Sequence, residues 1–188
     1  VLLAAVLHYG SFMEKSNTLN TLLEQVSQYH PLYNGGFASH IPMVMIALNR
    51  FNASSSKLQN TFDESIKDLE LIGCLDSVIS VDGIEFDLGN RDKFRSYLKY
   101  FKYELENLGT QAVLKKSLPM LMSGIAASAF HGLIRLAYGI EANNQSEIAI
   151  ALAYWCVEFQ SFELSVESSN EPLEDILTRL APIGVNHM

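Results

Sequence analysis

Cationic and thiol-bearing residues are scarce in this chain, and the shortage narrows its chemistry before any motif is considered. Thirteen lysines and arginines stand against 21 aspartates and glutamates, a formal net charge of −8. So acidic a chain has no electrostatic footprint for tracking phosphates, which argues against nucleic acid and anionic membrane surfaces as partners. Cysteine occurs only at Cys74 and Cys156, with no CxxC spacing. That excludes a zinc ribbon or a disulfide framework and fits free thiols in a reducing cytoplasm. Long hydrophobic runs are few. The most apolar stretch, Pro119 to Ile140, carries His131 and Arg135 near its middle, and the next, Ile148 to Val157, is too short to span a bilayer. GxSxG, P-loop, GxGxxG and HExxH motifs are all absent, so the common routes to a serine nucleophile, a nucleotide or a zincin metal are closed. The apolar start, Val1 to Leu7, is too short for a secretory signal and lacks its basic flank; residues 1–13 are read as a leader or a start-site artefact.

What is present is enough for one helical domain. At 188 residues and 48% hydrophobic, the chain can bury a sizeable core without staples. Leu19, Leu22, Leu23 and Val26 recur at helical spacing behind Asn17, predicting a helix over Thr18–Tyr29 that ends before Pro31. The Tyr33-Asn34-Gly35-Gly36 stretch is turn chemistry, and Pro42 suits the first turn of a helix running to Phe51. Ser54, Ser55 and Ser56 cap a third helix with the stripe Leu58, Phe62, Ile66, Leu69. Val78 to Phe86 reads as a small hairpin about Asp82-Gly83, or equally as an extended loop. Asn90 caps a helix with Phe94, Tyr97, Leu98, Phe101 and Leu105 inside, closed by Gly109. A short helix from Thr110 is expected to be interrupted at Pro119. A longer helix then runs from Met122 to Ile140, apolar all round and so placed centrally, its small residues Ala126 to Ala129 allowing close packing. A further helix, about Ser146 to Phe162, follows the short polar link Ala142 to Gln145 and pairs antiparallel with it. Residues 166–188 read as a linker and a terminal amphipathic helix opened by Pro172. The expected fold is an all-α multi-helix bundle with a buried central helix pair and one small β-hairpin.

Three of the five histidines are conspicuously placed. His30 sits at a helix exit and His40 at a helix entrance, flanking a loop that Gly35 and Gly36 allow to fold back, while His131 lies inside an apolar segment. A buried imidazole costs free energy unless its nitrogens are bonded or coordinated. Arg135 and Tyr138 follow His131 at i+4 and i+7 and so project from its helix face. A nearby guanidinium favours the neutral imidazole that a metal requires. The bland alternative is a hydrogen-bonded polar seam between helices, with His40 as an N-cap and His30 a solvent-facing helix terminus. Glu141 and Glu147 are further carboxylates near the helix ends, although exposed glutamate is the norm.

Two segments carry a family resemblance. Tyr29-His30-Pro31-Leu32-Tyr33 with Ser39-His40-Ile41-Pro42-Met43, and Ala129-Phe130-His131-Gly132-Leu133-Ile134-Arg135-Leu136-Ala137-Tyr138-Gly139-Ile140-Glu141 with Ala151-Leu152-Ala153-Tyr154-Trp155, resemble the signatures of the questin oxidase-like family. Leu88-Gly89 and Tyr97 to Phe101 fall suitably between them. The likeness spans about Leu19 to Phe162, the first half of a typical member. It implies a non-haem iron oxygenase acting with O2 on an aromatic or polyketide-like small molecule, with NADPH as a candidate reductant. By that resemblance His30, His40 and His131 fall on histidine-ligand positions, and the remaining ligands would lie in the other half. Fungal members often carry a second histidine where Arg135 stands here. In this reading Arg135 orients a substrate carboxylate or phenolate, and Phe37, Phe130, Tyr138 and Trp155 line an apolar pocket. The alternative is a non-catalytic helical ligand-binding or interaction domain. If the half-sized chain is complete, cutting a larger bundle in two would expose apolar surface that a homodimer would cover.

Overall fold

The computed structural model describes residues 17–75, 87–161, 171–172 and 174–179. Helix α1 covers 17–26, and the chain then turns and forms an isolated antiparallel bridge, Tyr29 to Leu71. It stops short of Tyr29 because the backbone there pairs sideways: the His30 N–H donates to the Glu70 carbonyl at 2.7 Å and Ile72 N–H to Gln28 at 2.9 Å. A two-stranded ribbon follows, β1 (Leu32–Tyr33) against β2 (Phe37–Ala38), with Leu32 opposite Ala38. Asn34, Gly35 and Gly36 close it, all at positive φ, a conformation glycine enters without a Cβ clash. Among the described residues the hairpin grows from the Asn-Gly-Gly turn. The hairpin expected about Asp82-Gly83, like the leader and most of the linker, lies outside the described residues.

Helix α2 (Ile41–Arg50) has Pro42 in its first turn, and α3 (Ser55–Ser65) is capped by Ser54, whose hydroxyl accepts from the Lys57 N–H at 3.2 Å. Helices α1 to α3 bury Leu22, Leu23, Met45, Ile46, Leu58 and Phe62 in one apolar cluster. A second, larger cluster is built by α4 (Phe94–Leu121) and α6 (Gln145–Val157). Gly109, at φ 76°, breaks α4 into two arms, as the closing glycine predicted. Pro119 does not interrupt the second arm. It sits in the last turn, where the helix runs on only to Leu121.

The central pair differs from expectation in one respect. No helix runs from Met122 to Ile140. Residues 122–130 form 3-10 turns with Ser128, Ala129 and Phe130 in the left-handed region, and α5 begins only at His131 and ends at Glu141. The apolar pattern did not distinguish a bent cap from a helix, because small apolar residues suit either; of the alanines here Ala127 is buried and Ala129 exposed. The fully enclosed element is α6, in which every residue from Glu147 to Val157 is buried. It ends at Val157 rather than near Phe162: the Gly89 N–H claims the Cys156 carbonyl at 2.8 Å, and the Phe159 ring packs on Gly124. Helix α5 keeps one open face, where Phe130, Ile134 and Ile140 are 47%, 41% and 43% exposed.

Helices α5 and α6 touch backbone to backbone. A Cβ added at Gly132 would lie 2.9 Å from Trp155, and one at Gly139 would lie 3.2 Å from the Ile148 nitrogen. Two glycines seven apart stand on one helix face, so they mark the line of contact. Helix α5 also bridges the two clusters, with Leu136 inside the larger and Tyr138 and Ala142 against the smaller. Among the described residues no helix is long and apolar enough to cross a membrane. Gly132→Ala should cost a net ~1–2 kcal/mol in urea unfolding, because overpacking against Trp155 outweighs the better helix propensity of alanine. A stability gain would contradict the close contact.

Candidate functional site

His40 and His131 meet at the seam between the two apolar clusters. Their Nε2 atoms are 2.8 Å apart and the rings sit edge to face, 78° between planes. His40 precedes α2 but makes no side-chain cap, which leaves its ring free to reach across. His131 opens α5, and its Nδ1 is bonded to the Ser128 carbonyl. A carbonyl only accepts, so Nδ1 carries the proton and Nε2 of the neutral ring is the bare nitrogen. His40 must then donate through its own Nε2–H. In metal sites a carbonyl that fixes the far nitrogen of a ligating imidazole in this way is the usual second layer.

The pair suits two cis ligands of one metal ion. With N–metal bonds of about 2.0–2.1 Å, two nitrogens at a right angle lie about 2.9 Å apart and at a tetrahedral angle about 3.4 Å apart. The observed separation needs a small opening and transfer of the His40 proton to its Nδ1. A third ligand does not join them: among the described residues no group of three or more His, Cys, Asp or Glu could hold a metal. The donor chemistry fits a metal as two ligands of a larger set.

His30 is built into a different environment. Its Nδ1 lies 3.1 Å from both the N–H and the carbonyl of Leu32, and its ring packs 4.5 Å from that of Phe94. Burial pushes its pKa below the ordinary value, and the positive charge of Arg135 pushes the same way against the Leu32 bond and Glu70. The hairpin does fold the His30–His40 loop back, yet it is His131 that His40 meets.

Arg135 and Glu147 form the one buried ion pair among the described residues, with Nε and Nη2 each donating at 3.0 Å to a different carboxylate oxygen. Arg135 is 3% exposed and its Nη1 has no partner among the described residues. The guanidinium is thus committed to Glu147 in this structure. The sequence reading set Glu147 aside as ordinary surface, yet a lone charge inside an otherwise apolar helix was the available signal that it needed a partner. Glu141 instead pairs with Arg50 near the surface. Tyr138 rests against the smaller apolar cluster. The four aromatics expected to line one pocket are dispersed: Trp155 is core, its Nε1 donating to the Gly124 carbonyl at 3.1 Å, while Phe37 and Phe130 are exposed.

The cysteines divide by environment. Cys156 is buried, and desolvation pushes its thiol far above the ordinary value, whereas Cys74 is exposed.

The class that fold and site define is a helical bundle with an imidazole pair at the seam of two cores. The family is more specific: the questin oxidase-like family model matches residues 37–180, so the chain belongs to that family. Its general function is accordingly of the oxidase or oxygenase type. The matched stretch contains His40, His131, Arg135 and Tyr138 and begins after His30. No curated protein matches the chain.

Two outcomes test these environments. Glu147→Gln should cost ~3–5 kcal/mol in denaturant unfolding by leaving a buried cation unpaired, and Arg135→Met with Glu147→Leu should recover most of it. In the native protein one thiol, Cys74, should react quickly with a disulfide reagent and Cys156 only on unfolding, since thiolate is the attacking form. Rapid labelling of both would contradict the burial of α6.

Proposed function

We propose that the chain is a non-haem metal-dependent oxidoreductase of the oxygenase type, or part of one, acting on an aromatic or polyketide-like small molecule. The observation that carries this reading is the His40–His131 pair, with the His131 tautomer set by Ser128 so that its bare Nε2 faces His40. Fe(II) held there would supply O2 activation, and NADPH is the candidate reductant. The protein's own contribution is positional. His131 is fixed at the start of α5 and His40 at the start of α2, so the rings rest on separate elements, α2 in the smaller core and α5 shared between both. His30, held neutral by burial, is the candidate for a third imidazole. Arg135 anchors α5 to α6 through Glu147 and so holds His131 in place; release from Glu147 would be needed before it could meet a substrate phenolate or carboxylate. Tyr138, on the same helix, steadies α5 against the smaller core.

A second reading, a helical ligand-binding domain without turnover, is favoured by the mutual hydrogen bond of the two imidazoles and the lack of a third ligand beside them among the described residues. Metal content separates the two. Protein purified without a nickel column and reconstituted anaerobically with Fe(II) should hold near-stoichiometric iron in the wild type and in Lys102→Ala. The His40→Ala, His131→Ala double variant should hold none. Iron-loaded wild type should then consume O2 with a quinone substrate, with NADPH present or absent as the comparison. A wild type that binds no iron would sink the oxygenase reading and leave the binding domain.

A further inference from the structure

Between Leu121 and His131 the chain passes from α4 to α5 through a turn that the backbone itself resists. Ser128, Ala129 and Phe130 stand at φ values of 50°, 52° and 66°, where a Cβ crowds the following carbonyl. Such a stretch relaxes unless bonds from outside hold it. Its upstream end is held by Trp155, whose ring nitrogen donates to the Gly124 carbonyl at 3.1 Å, and by the Phe159 ring packed on Gly124. Neither contact reaches the strained residues. Ala129 and Phe130 are exposed, so packing restrains them little. Ser128 is tied to another element: its hydroxyl is bonded to the Tyr154 hydroxyl at 2.8 Å. Tyr154 is 1% exposed on α6, which makes it an anchor locked by its surroundings rather than a side chain that follows the turn.

We propose that Tyr154 is a positioning residue for His131 and acts through Ser128. One serine carries both contacts: its hydroxyl meets Tyr154, and its carbonyl accepts from His131 Nδ1. Fixing the hydroxyl fixes the orientation of Ser128, hence the direction of its carbonyl, hence the ring nitrogen of His131 that carries the proton. The line of contacts ends on His40, whose Nε2 is 2.8 Å from His131 Nε2. A phenylalanine at position 154 fills the same space in α6 but leaves Ser128 untethered, and the left-handed turn loses the bond that offsets its strain. That Tyr154 matters to a bound metal rests on the oxidoreductase reading; that it sets the tautomer of His131 does not.

Nitrogen NMR of the isotope-labelled, metal-free full chain reads the tautomer at about pH 8, where an ordinary imidazole is neutral. His131, assigned by the signals lost in His131→Asn, should show a protonated Nδ1 and a bare Nε2 in the wild type. Tyr154→Phe should move both nitrogens toward the mixed tautomers of a free imidazole. Ser128→Ala, which removes the same bond from its half-buried end, should do likewise. Tyr154→Phe combined with Ser128→Gly should return most of the wild-type pattern, because glycine takes a positive φ without the Cβ penalty and needs no tether. General loosening of the bundle would not be repaired by a glycine. Tyr154→Phe should also weaken Fe(II) binding about tenfold or more, the usual cost of disturbing what orients a ligand, and the glycine double variant should recover it. A wild-type His131 protonated on Nε2, an unchanged tautomer in folded Tyr154→Phe or Ser128→Ala, or no recovery with glycine would each overturn the proposal. Ser128→Ala decides the matter should Tyr154→Phe not fold. A wild type that binds no iron removes the oxidoreductase reading alone, since the tautomer comparison is made without metal.

Discussion

Burial of α6 from Glu147 to its end is the constraint from which the rest of the structure follows. From Glu147 to Val157 no side chain of that helix reaches solvent, and such a helix has to be surrounded on all sides. Its one charged group, Glu147, would be prohibitive if left alone, because a buried carboxylate needs a counter-charge and bonded oxygens. Arg135 supplies both through two parallel hydrogen bonds, the geometry a guanidinium makes best. The pair contributes less as net stability than as a fixed register. It permits one axial position of α5 along α6, and Gly132 and Gly139 permit one distance. Once those are set, the first residue of α5 has a defined place, and that residue is His131.

Much of this was legible in the residues because its causes are local. Ser54, Asn90 and Asn144 each accept from a backbone N–H near a helix start, as cap chemistry requires, and Gly109 breaks the long helix where the pattern ends. The stripe Phe94, Tyr97, Leu98, Phe101, Leu105 is buried as spaced. What could not be read locally depends on pairings far apart in sequence. His40 and His131 are 91 residues apart, and Arg135 meets Glu147 only because α5 and α6 lie antiparallel in one register. Of the three histidines that the resemblance singles out, the fold brings His40 and His131 together, while the His30 ring is bonded to backbone two residues away.

The two apolar clusters explain why the pair lies where it does. Residues inside either cluster are locked by packing on every side, whereas α5 belongs partly to both, with Leu136 on one side and Tyr138 on the other. A seam of this kind is where polar side chains from separate elements can converge without being buried in apolar surroundings. His40 stays exposed and His131 half-buried, so a ligand can reach the nitrogens while the backbone behind them is held. The open apolar face of α5 runs from the same end of the helix.

Ser128, Ala129 and Phe130 supply the last step. Three successive non-glycine residues in the left-handed region cost about 1–2 kcal/mol each by steric crowding of Cβ, and such strain persists only where surrounding bonds over-determine it. Here they do. The Ser128 hydroxyl is bonded to the Tyr154 hydroxyl at 2.8 Å, the Trp155 ring nitrogen holds the Gly124 carbonyl, and His131 Nδ1 takes the Ser128 carbonyl. A regular helix through 128–130 would have turned that carbonyl along the axis, toward the N–H four residues on, and away from the imidazole. The left-handed turn aims it at Nδ1 instead, and with Nδ1 protonated the Nε2 lone pair has only His40, or whatever His40 and His131 hold between them, to face. The departure from the expected continuous helix is thus the same feature that sets the tautomer of His131, the one that its proposed role as a ligand would need.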